Sequence, residues 1–118
     1  MPQSRRARIS RQHPDELGVD QVEQAALAFS LLSDPTRIRM LWAMRGGEQD
    51  VTALATAADC RQTVASQHLS KLRLAGLVHT RRDGRRILYR LRGSHVHALL
   101  TEGLFHADHQ ISGEPIHE

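Results

Sequence analysis

The chain has 118 residues, a length that fits one domain and leaves little room for a second. Its hydrophobic content of 40% is ordinary for a folded protein. No apolar run approaches the ~20 residues needed to cross a bilayer, which excludes a membrane-spanning segment. The net charge is only +3, but residues 61–92 hold nine Lys and Arg against one acid, between two segments in which acids prevail. This distribution is typical of a surface that contacts nucleic acid.

The N-terminal third predicts an arm and two helices. The first 18 residues mix Arg, Ser, Gln and Pro, which predicts a flexible basic arm. No apolar segment follows this arm, so we do not expect it to be a secretory signal. Apolar residues at helical spacing predict a first helix over residues 19–32. Asp34 is a favourable N-cap and Pro35 a favourable first residue for a second helix, which ends at Gly46-Gly47.

The next two helices predict a helix-turn-helix. Asp50 or Thr52 can cap a short helix, and a turn at Asp59-Cys60 leads to a longer helix from Gln62 to Ala75. The apolar residues predicted to face inward in the longer helix are Val64, Ala65, Leu69, Leu72 and Leu74. Its polar face fits a major groove, where Gln, Ser and Thr can contact base edges and Lys can hold phosphates. The candidate DNA contacts on this helix are Gln62, Thr63, Ser66, Gln67, His68 and Lys71. For His68, packing between helices is an equally open alternative.

Residues 77–91 predict a β-hairpin. Asp83-Gly84 is a favoured type I′ turn pair, and β-compatible residues flank it on both sides. The arginines that crowd the tip, which predict an anion beside it, are Arg81, Arg82, Arg85 and Arg86. A helix-turn-helix followed by an Arg-tipped hairpin indicates a winged helix, whose wing follows the DNA backbone or minor groove.

A last helix is predicted from Ser94 to His109, followed by a flexible tail over residues 110–118. The expected fold is therefore mainly α, a winged helix-turn-helix domain over residues 19–109 with four helices, a β-hairpin and a fifth helix. Because so short a chain exposes much of its surface, a homodimer would help to stabilise it.

Three segments resemble the ArsR/SmtB-type bacterial repressors. They are Leu31-Leu32-Ser33-Asp34-Pro35-Thr36-Arg37-Ile38-Arg39-Met40-Leu41, the run from Gln62 to Leu72 with Ala75-Gly76-Leu77-Val78 after it, and the hairpin from Arg81 to Leu91. The resemblance covers roughly residues 20–109. It implies a homodimer joined through its first and last helices and bound to an imperfectly palindromic double-stranded DNA operator. It also implies that an inducer, often a metal, releases the DNA.

A thiolate metal site of the arsenic, cadmium and lead sensors is not expected. Those relatives carry Cys-x-Cys where this chain has Asp50 and Thr52, and soft metals need thiolates. Cys60 is the single cysteine, so it can form no internal disulfide, and we interpret it as a small turn residue. A cytoplasmic protein is the simplest interpretation.

Histidines of the last helix predict a different metal site. His95 and His106 lie three full turns apart on one face, with His109 one turn further. Along one helix His95 and His106 are about 16 Å apart, too far to share an ion. In an antiparallel pair of helices, however, His95 of one chain meets His106 and His109 of the other. His97 points away from this stripe, so we interpret it as a solvent or interface residue.

The spacing His-x10-His-x2-His is similar to the site of the family's zinc and nickel/cobalt sensors. Many relatives place an Asp where this chain has Gly93, so the site either lacks one carboxylate or completes its shell from elsewhere. Asp108 is the nearest candidate, and His13 or His117 could join from the tails. Imidazole and oxygen ligands suit Ni(II), Co(II) or Zn(II), and the segment from His95 to His109 most resembles the nickel/cobalt-sensing branch.

Two other functions compete with a metal-responsive repressor. A repressor of the same fold could be gated by a small molecule or a partner protein without metal. A metal-dependent enzyme is disfavoured because the sequence places no general base near the histidines, so we predict that the chain is not an enzyme.

Overall fold

The computed structural model describes residues 16–113. Over this range the chain forms five helices and three strands, mainly α as predicted. In chain order they are α1 (Val19–Leu32), α2 (Pro35–Ala43), β1 (Gln49–Asp50), α3 (Val51–Ala58), α4 (Gln62–Leu74), β2 (Val78–Asp83), β3 (Arg86–Leu91) and α5 (Gly93–Ser112). Most of the predicted arm and tail, with His13 and His117, lies outside the described residues.

Carboxylate caps begin two of the helices. The Asp34 side chain accepts a hydrogen bond from the Arg37 backbone N–H at 3.0 Å, and Pro35 occupies the first turn of α2. At α3 the Asp50 carboxylate accepts from the Ala53 N–H at 2.9 Å, which selects Asp50 over Thr52 as the cap. Each cap satisfies a backbone donor that has no partner inside its own helix.

The sheet has one strand more than the predicted hairpin. The strands are ordered β1-β3-β2, and β1 pairs antiparallel with β3 through Gln49 opposite Tyr89 and Asp50 opposite Leu88. A strand of two residues shows no alternation of apolar and polar positions, so the sequence pattern could not reveal it. Its consequence is that the start of α3 lies directly beside the hairpin.

The hairpin, called the wing below, turns one residue later than predicted. Asp83 pairs with Arg86, so Gly84 and Arg85 are the two central turn residues. Gly84 has a φ of +65°, whereas Arg85 does not adopt a positive φ. This is the pattern of a type II′ turn with glycine first, and the predicted type I′ turn at Asp83-Gly84 is wrong.

One apolar core joins all the helices and both long strands. Its buried residues are Leu31, Met40, Leu41, Met44, Leu54, Ala55, Ala58, Ala65, Leu69, Leu72, Leu77, Val78, Val96 and Leu100. Ala65, Leu69 and Leu72 therefore face inward from α4 as predicted. Val64 and Leu74 do not, because they are 37% and 79% exposed in the protomer.

The last helix is longer at both ends than predicted. It begins at Gly93 and continues through Ser112 to Gly113, whose φ of +76° ends it in the left-handed conformation that glycine adopts without strain. The predicted end at His109 is therefore three residues early, and His109 lies inside the helix with a further turn beyond it.

Candidate nucleic-acid interface and metal face

The exposed side of α4 carries the predicted base-contacting residues. While Ala65, Leu69 and Leu72 are buried, the predicted DNA contacts Gln62, Thr63, Ser66, Gln67 and Lys71 are all exposed. Gln62 also donates through its side-chain amide to the Thr52 hydroxyl at 3.0 Å, which ties the start of α4 to α3. The helix thus presents amide, hydroxyl and ammonium groups in the arrangement that a major groove accepts.

His68 differs from its neighbours on α4 because it is half-buried. Its Nδ1 accepts a hydrogen bond from Arg37 Nε at 3.0 Å, and the same guanidinium donates to the Leu31 carbonyl at 3.4 Å. Arg37 therefore joins α4 to α2 and to the end of α1. This geometry favours the packing alternative for His68 over a contact with DNA.

The four wing arginines fall into two classes. Arg81 forms a two-pronged ion pair with Glu48, at 2.6 and 2.8 Å between nitrogen and oxygen. Arg86 reaches Asp50 at 3.2 Å and Asp83 at 3.3 Å. Within residues 16–113, no ion pair or hydrogen bond engages the side chains of the remaining two, Arg82 and Arg85, and both are exposed.

These contacts favour the ionised forms of the acids. The hydrogen bond from Arg81 lowers the pKa of Glu48 below its ordinary value, aided by the charges of Arg81 and Arg90. The Ala53 backbone N–H is the main cause that lowers the pKa of Asp50, and Arg86 adds to it. In return, Glu48 raises the pKa of Arg81. The pairs are therefore fully charged near neutral pH.

A second surface, called the α1–α5 face below, is apolar and uncovered in the protomer. Phe29 of α1 is 58% exposed, and Leu99 and Leu104 of α5 are 40% and 38% exposed. These side chains line a depression of about 370 Å³ that lies over the buried Leu100. An apolar patch that is exposed to water in a single protomer is typical of a surface that binds another molecule.

The predicted metal ligands lie along the same helix. His95, His106 and Asp108 are exposed, and His109 is half-buried with its ring 5.2 Å from that of Phe105. Within residues 16–113 of one protomer, no three His, Cys, Asp or Glu side chains converge closely enough to hold an ion. The described residues of one protomer therefore do not by themselves form the predicted site.

His97 is exposed, in line with the solvent role predicted for it, and it also contacts a second helix. Its ring stacks on Trp42 of α2, with centroids 6.0 Å apart and an angle of 8° between the planes. Arg45 lies over the same indole, 4.6 Å from its centroid. The stack joins the histidine-bearing helix to α2 within one protomer.

Residues 32–81 match a family model described as a helix-turn-helix domain. The HTH-type transcriptional regulator KmtR of Mycobacterium tuberculosis is 43% identical over 104 residues, which cover 88% of this chain and 80% of that protein. The SmtB homolog of Synechocystis sp., a transcriptional repressor, is 38% identical over 75% of this chain and 67% of its own length.

Among solved structures, the fold is similar to a homodimeric winged helix-turn-helix DNA-binding domain, Mb0332 of Mycobacterium bovis, described as a possible ArsR-family transcriptional regulator. The TM-score is 0.73 at 30% identity, and the match covers 95% of this chain and 99% of that one. The chain belongs to the ArsR/SmtB family of transcriptional regulators.

Membership of the ArsR/SmtB family confirms the expected winged helix-turn-helix fold and identifies the chain as a regulator that binds DNA as a dimer. Both the family and the fold are those of DNA-binding regulators and not of enzymes. No helix within residues 16–113 combines the length and the apolar character needed to span a bilayer.

Sequence reasoning missed two residues that organise this ArsR/SmtB site. Glu48 precedes β1 and holds Arg81, and Arg37 holds His68. The excess of acids before residue 60 and of bases after it signals attraction between the two segments, but it does not say which acid contacts which arginine.

Proposed function

We propose that this regulator is a cytoplasmic repressor that binds a palindromic operator and releases it when Ni(II) binds between the C-terminal helices of its dimer. Co(II) and Zn(II) are the other candidate ions. The observation that carries the proposal is that one helix, α5, bears both the aligned histidines and an uncovered apolar surface. The contact that buries the apolar surface is thus the contact that can bring imidazoles of two chains together.

The DNA part of the proposal follows from the two exposed basic elements. Gln62, Thr63, Ser66 and Gln67 on α4 offer donors and acceptors for base edges, and Lys71 offers a charge for a phosphate. Arg82 and Arg85 at the wing are free to reach the DNA backbone. A two-fold dimer presents two such units, which is why we expect an operator with two similar half-sites.

The donor set fits a borderline metal ion. His95 and His106 are exposed and able to turn their ring nitrogens towards a partner helix. Imidazole nitrogen and carboxylate oxygen suit Ni(II), Co(II) and Zn(II), whereas the single thiol, Cys60, is half-buried and packs against the core. We therefore assign His95 of one chain, with His106 and His109 of the other, as ligands.

We propose that a carboxylate from elsewhere replaces the Asp that many relatives carry at the position of Gly93. Asp108 is exposed beside His109, and Glu102 is exposed one turn before His106 on the same side of the helix. His13 and His117 lie outside the described residues, and we propose that one of these tail histidines completes the shell. A six-coordinate shell of this kind favours nickel or cobalt, and a closed tetrahedral shell favours zinc.

Release follows from the position of these ligands between subunits. Imidazoles from two chains that hold one ion fix the relative orientation of the α5 helices, and with it the distance between the two α4 helices. Val96 and Leu100 of α5 are buried in the same core as α4, and His97 stacks on Trp42 of α2. A shift of α5 is therefore transmitted through packed side chains to the DNA-contacting elements.

The test is an operator titration with and without Ni(II), Co(II) and Zn(II), repeated with His106→Ala. We expect metal to weaken operator binding by the wild type and to have no effect on His106→Ala, whose metal-free binding stays unchanged. Gln110→Ala, an exposed change on the same helix, is the matched control and should respond like the wild type. Operator affinity that no ion alters would contradict the metal-responsive function and favour a repressor gated by a small molecule or a partner protein.

A further inference from the structure

Two acids at the start of the helix-turn-helix lie against the wing. Both carboxylate oxygens of Glu48 accept hydrogen bonds from Arg81. One carboxylate oxygen of Asp50 caps α3, and the other accepts a hydrogen bond from Arg86. The short strand β1 places both acids there, because it pairs with β3. The ion pairs themselves lie outside the apolar core, since both arginines are exposed and both acids are only partly buried.

We infer that Glu48 and Asp50 are positioning residues that hold Arg81 and Arg86 on the protein and so limit sequence-independent binding to DNA. The inference rests on the proposed contact between the wing and the DNA backbone. Arg82 and Arg85 then make the wing's phosphate contacts, while Arg81 and Arg86 have to exchange a carboxylate for a phosphate before they contribute.

The exposure of the pairs makes such an exchange feasible. The side chain of Arg81 is 56% exposed and that of Glu48 is 27% exposed. Ion pairs open to water contribute little stability, so a phosphate can compete with the carboxylate for the guanidinium. The acid therefore reduces the gain from a phosphate contact without preventing it.

We expect Glu48 and Asp50 to change the specificity of DNA binding more than the affinity for the operator. Phosphate contacts supply nearly all of the binding to unrelated sequences and carry no base information. An acid that competes for one of them weakens binding to every sequence, whereas the base contacts of α4 remain. Binding to unrelated DNA depends more on the wing than binding to the operator does. The acids therefore raise the ratio of operator affinity to non-specific affinity.

The test uses Glu48→Gln, which keeps the shape and removes the charge. We expect its affinity for a non-operator duplex to rise by roughly two- to five-fold at low salt, the size of one exposed ion pair. The plot of log affinity against log salt should become steeper by about 0.9 for each arginine released. Glu16→Gln, an exposed acid outside the wing contacts, is the matched control for the change in net charge.

Combining Glu48→Gln with Arg81→Gln tests whether Glu48 acts through Arg81. If Glu48 acts through Arg81, Glu48→Gln has no effect on the salt dependence once Arg81 is replaced. Asp50→Asn gives a second measurement, because Asn caps a helix as well as Asp does. We expect a smaller increase there, since Asp83 still holds Arg86.

The outcomes separate the inference from the function on which it rests. A Glu48→Gln protein that binds DNA more weakly, or that matches Glu16→Gln in affinity and salt dependence, overturns the inference. An Arg82→Gln/Arg85→Gln protein with an unchanged salt dependence instead contradicts the wing contact itself. Far-UV circular dichroism verifies that each variant is folded.

Discussion

The DNA-contacting elements and the α1–α5 face are built in opposite ways. On the DNA side, much of the charge is already partnered inside one chain: Arg81 with Glu48, Arg86 with Asp50, and Arg37 with His68. On the α1–α5 face, apolar side chains are exposed and no described trio of ligands converges within one protomer. The candidate DNA-contacting side chains thus lie together in one protomer, whereas the proposed metal site takes its ligands from two chains.

This difference predicts that the dimer can be broken without damage to the fold. Phe29→Glu/Leu104→Glu places two charges where we expect the partner to pack, and neither side chain belongs to the buried core. We expect a folded monomer in sedimentation analysis. Operator affinity should fall on the order of 100-fold or more, because the two half-sites are no longer engaged together.

Leu74→Glu is the control for that experiment. Leu74 is 79% exposed at the end of α4, so it tests the same change of an apolar side chain to a charge away from the α1–α5 face. It should remain dimeric. A double variant that sediments as a dimer, or a Leu74→Glu protein that does not, would show that the subunits meet elsewhere.

The second prediction concerns Arg82 and Arg85, the two wing arginines that have no ion pair within residues 16–113. Arg82→Gln/Arg85→Gln should weaken binding to operator and non-operator DNA alike, and the salt dependence should become shallower by about 0.9 for each phosphate that the wing no longer neutralises. Arg39→Gln, an exposed cation on α2, is the comparison for a change in net charge. Weaker binding to the operator alone would assign base recognition to the wing instead.

A third prediction addresses the connection between the two regions. The stack of His97 on Trp42 joins α5 to α2, and Arg37 joins α2 to His68 on α4. Replacing His97 with Ala should leave metal-free operator binding unchanged but reduce the metal-dependent change by about 0.5–2 kcal/mol. The fluorescence of Trp42, the single tryptophan, reports whether metal moves this stack in the wild type.

A full response to metal in His97→Ala would place the connection elsewhere, for example through the buried Val96 and Leu100. Metal affinity has to be measured alongside, by calorimetry, because a change in affinity would mean that His97 acts on the ligands rather than on transmission. His79→Ala, a half-buried histidine on β2, controls for loss of an imidazole.

The sequence predicted the helices because their signals are local. The caps at Asp34 and Asp50 and the spacing of Ala65, Leu69 and Leu72 depend on residues within one or two turns. The strand β1, the ion pair of Glu48 with Arg81 and the His97–Trp42 stack join residues far apart in the chain, which no periodicity encodes.

The errors on apolar residues have a related cause. Helical spacing placed Val64 and Leu74 inward because both are apolar, but α4 buries only a narrow stripe of side chains. The exposed Leu99, Leu104 and Phe29 lie on the two helices that the family resemblance placed at the dimer interface, and one protomer leaves them uncovered. The hydrophobicity of a side chain predicts that it will be covered, but it does not predict whether its own chain or a partner chain covers it.

The smallest predicted effect lies at Asp34, which begins the helix between the two regions. Its carboxylate caps α2, so Asp34→Ala should lower the free energy of unfolding by about 1 kcal/mol at a fixed protein concentration. The cap hydrogen bond from Arg37 N–H also lowers the pKa of Asp34 below its ordinary value of 3.8. A folded-state pKa below the unfolded one stabilises the fold at pH values above 3.8, and this stabilisation is lost as the pH falls through the folded-state value.

Asp34→Asn separates the cap from its charge, because Asn accepts the same hydrogen bond without ionising. We expect its unfolding free energy to be close to that of the wild type near pH 7 and to fall less than the wild-type value between pH ~5 and ~3. Glu48 and Asp50, whose pKa values are also lowered, are the same in both proteins, so the difference between the two urea-denaturation series isolates Asp34. An identical decrease in acid would mean that the charge of the carboxylate adds nothing to the cap hydrogen bond that a neutral acceptor also makes.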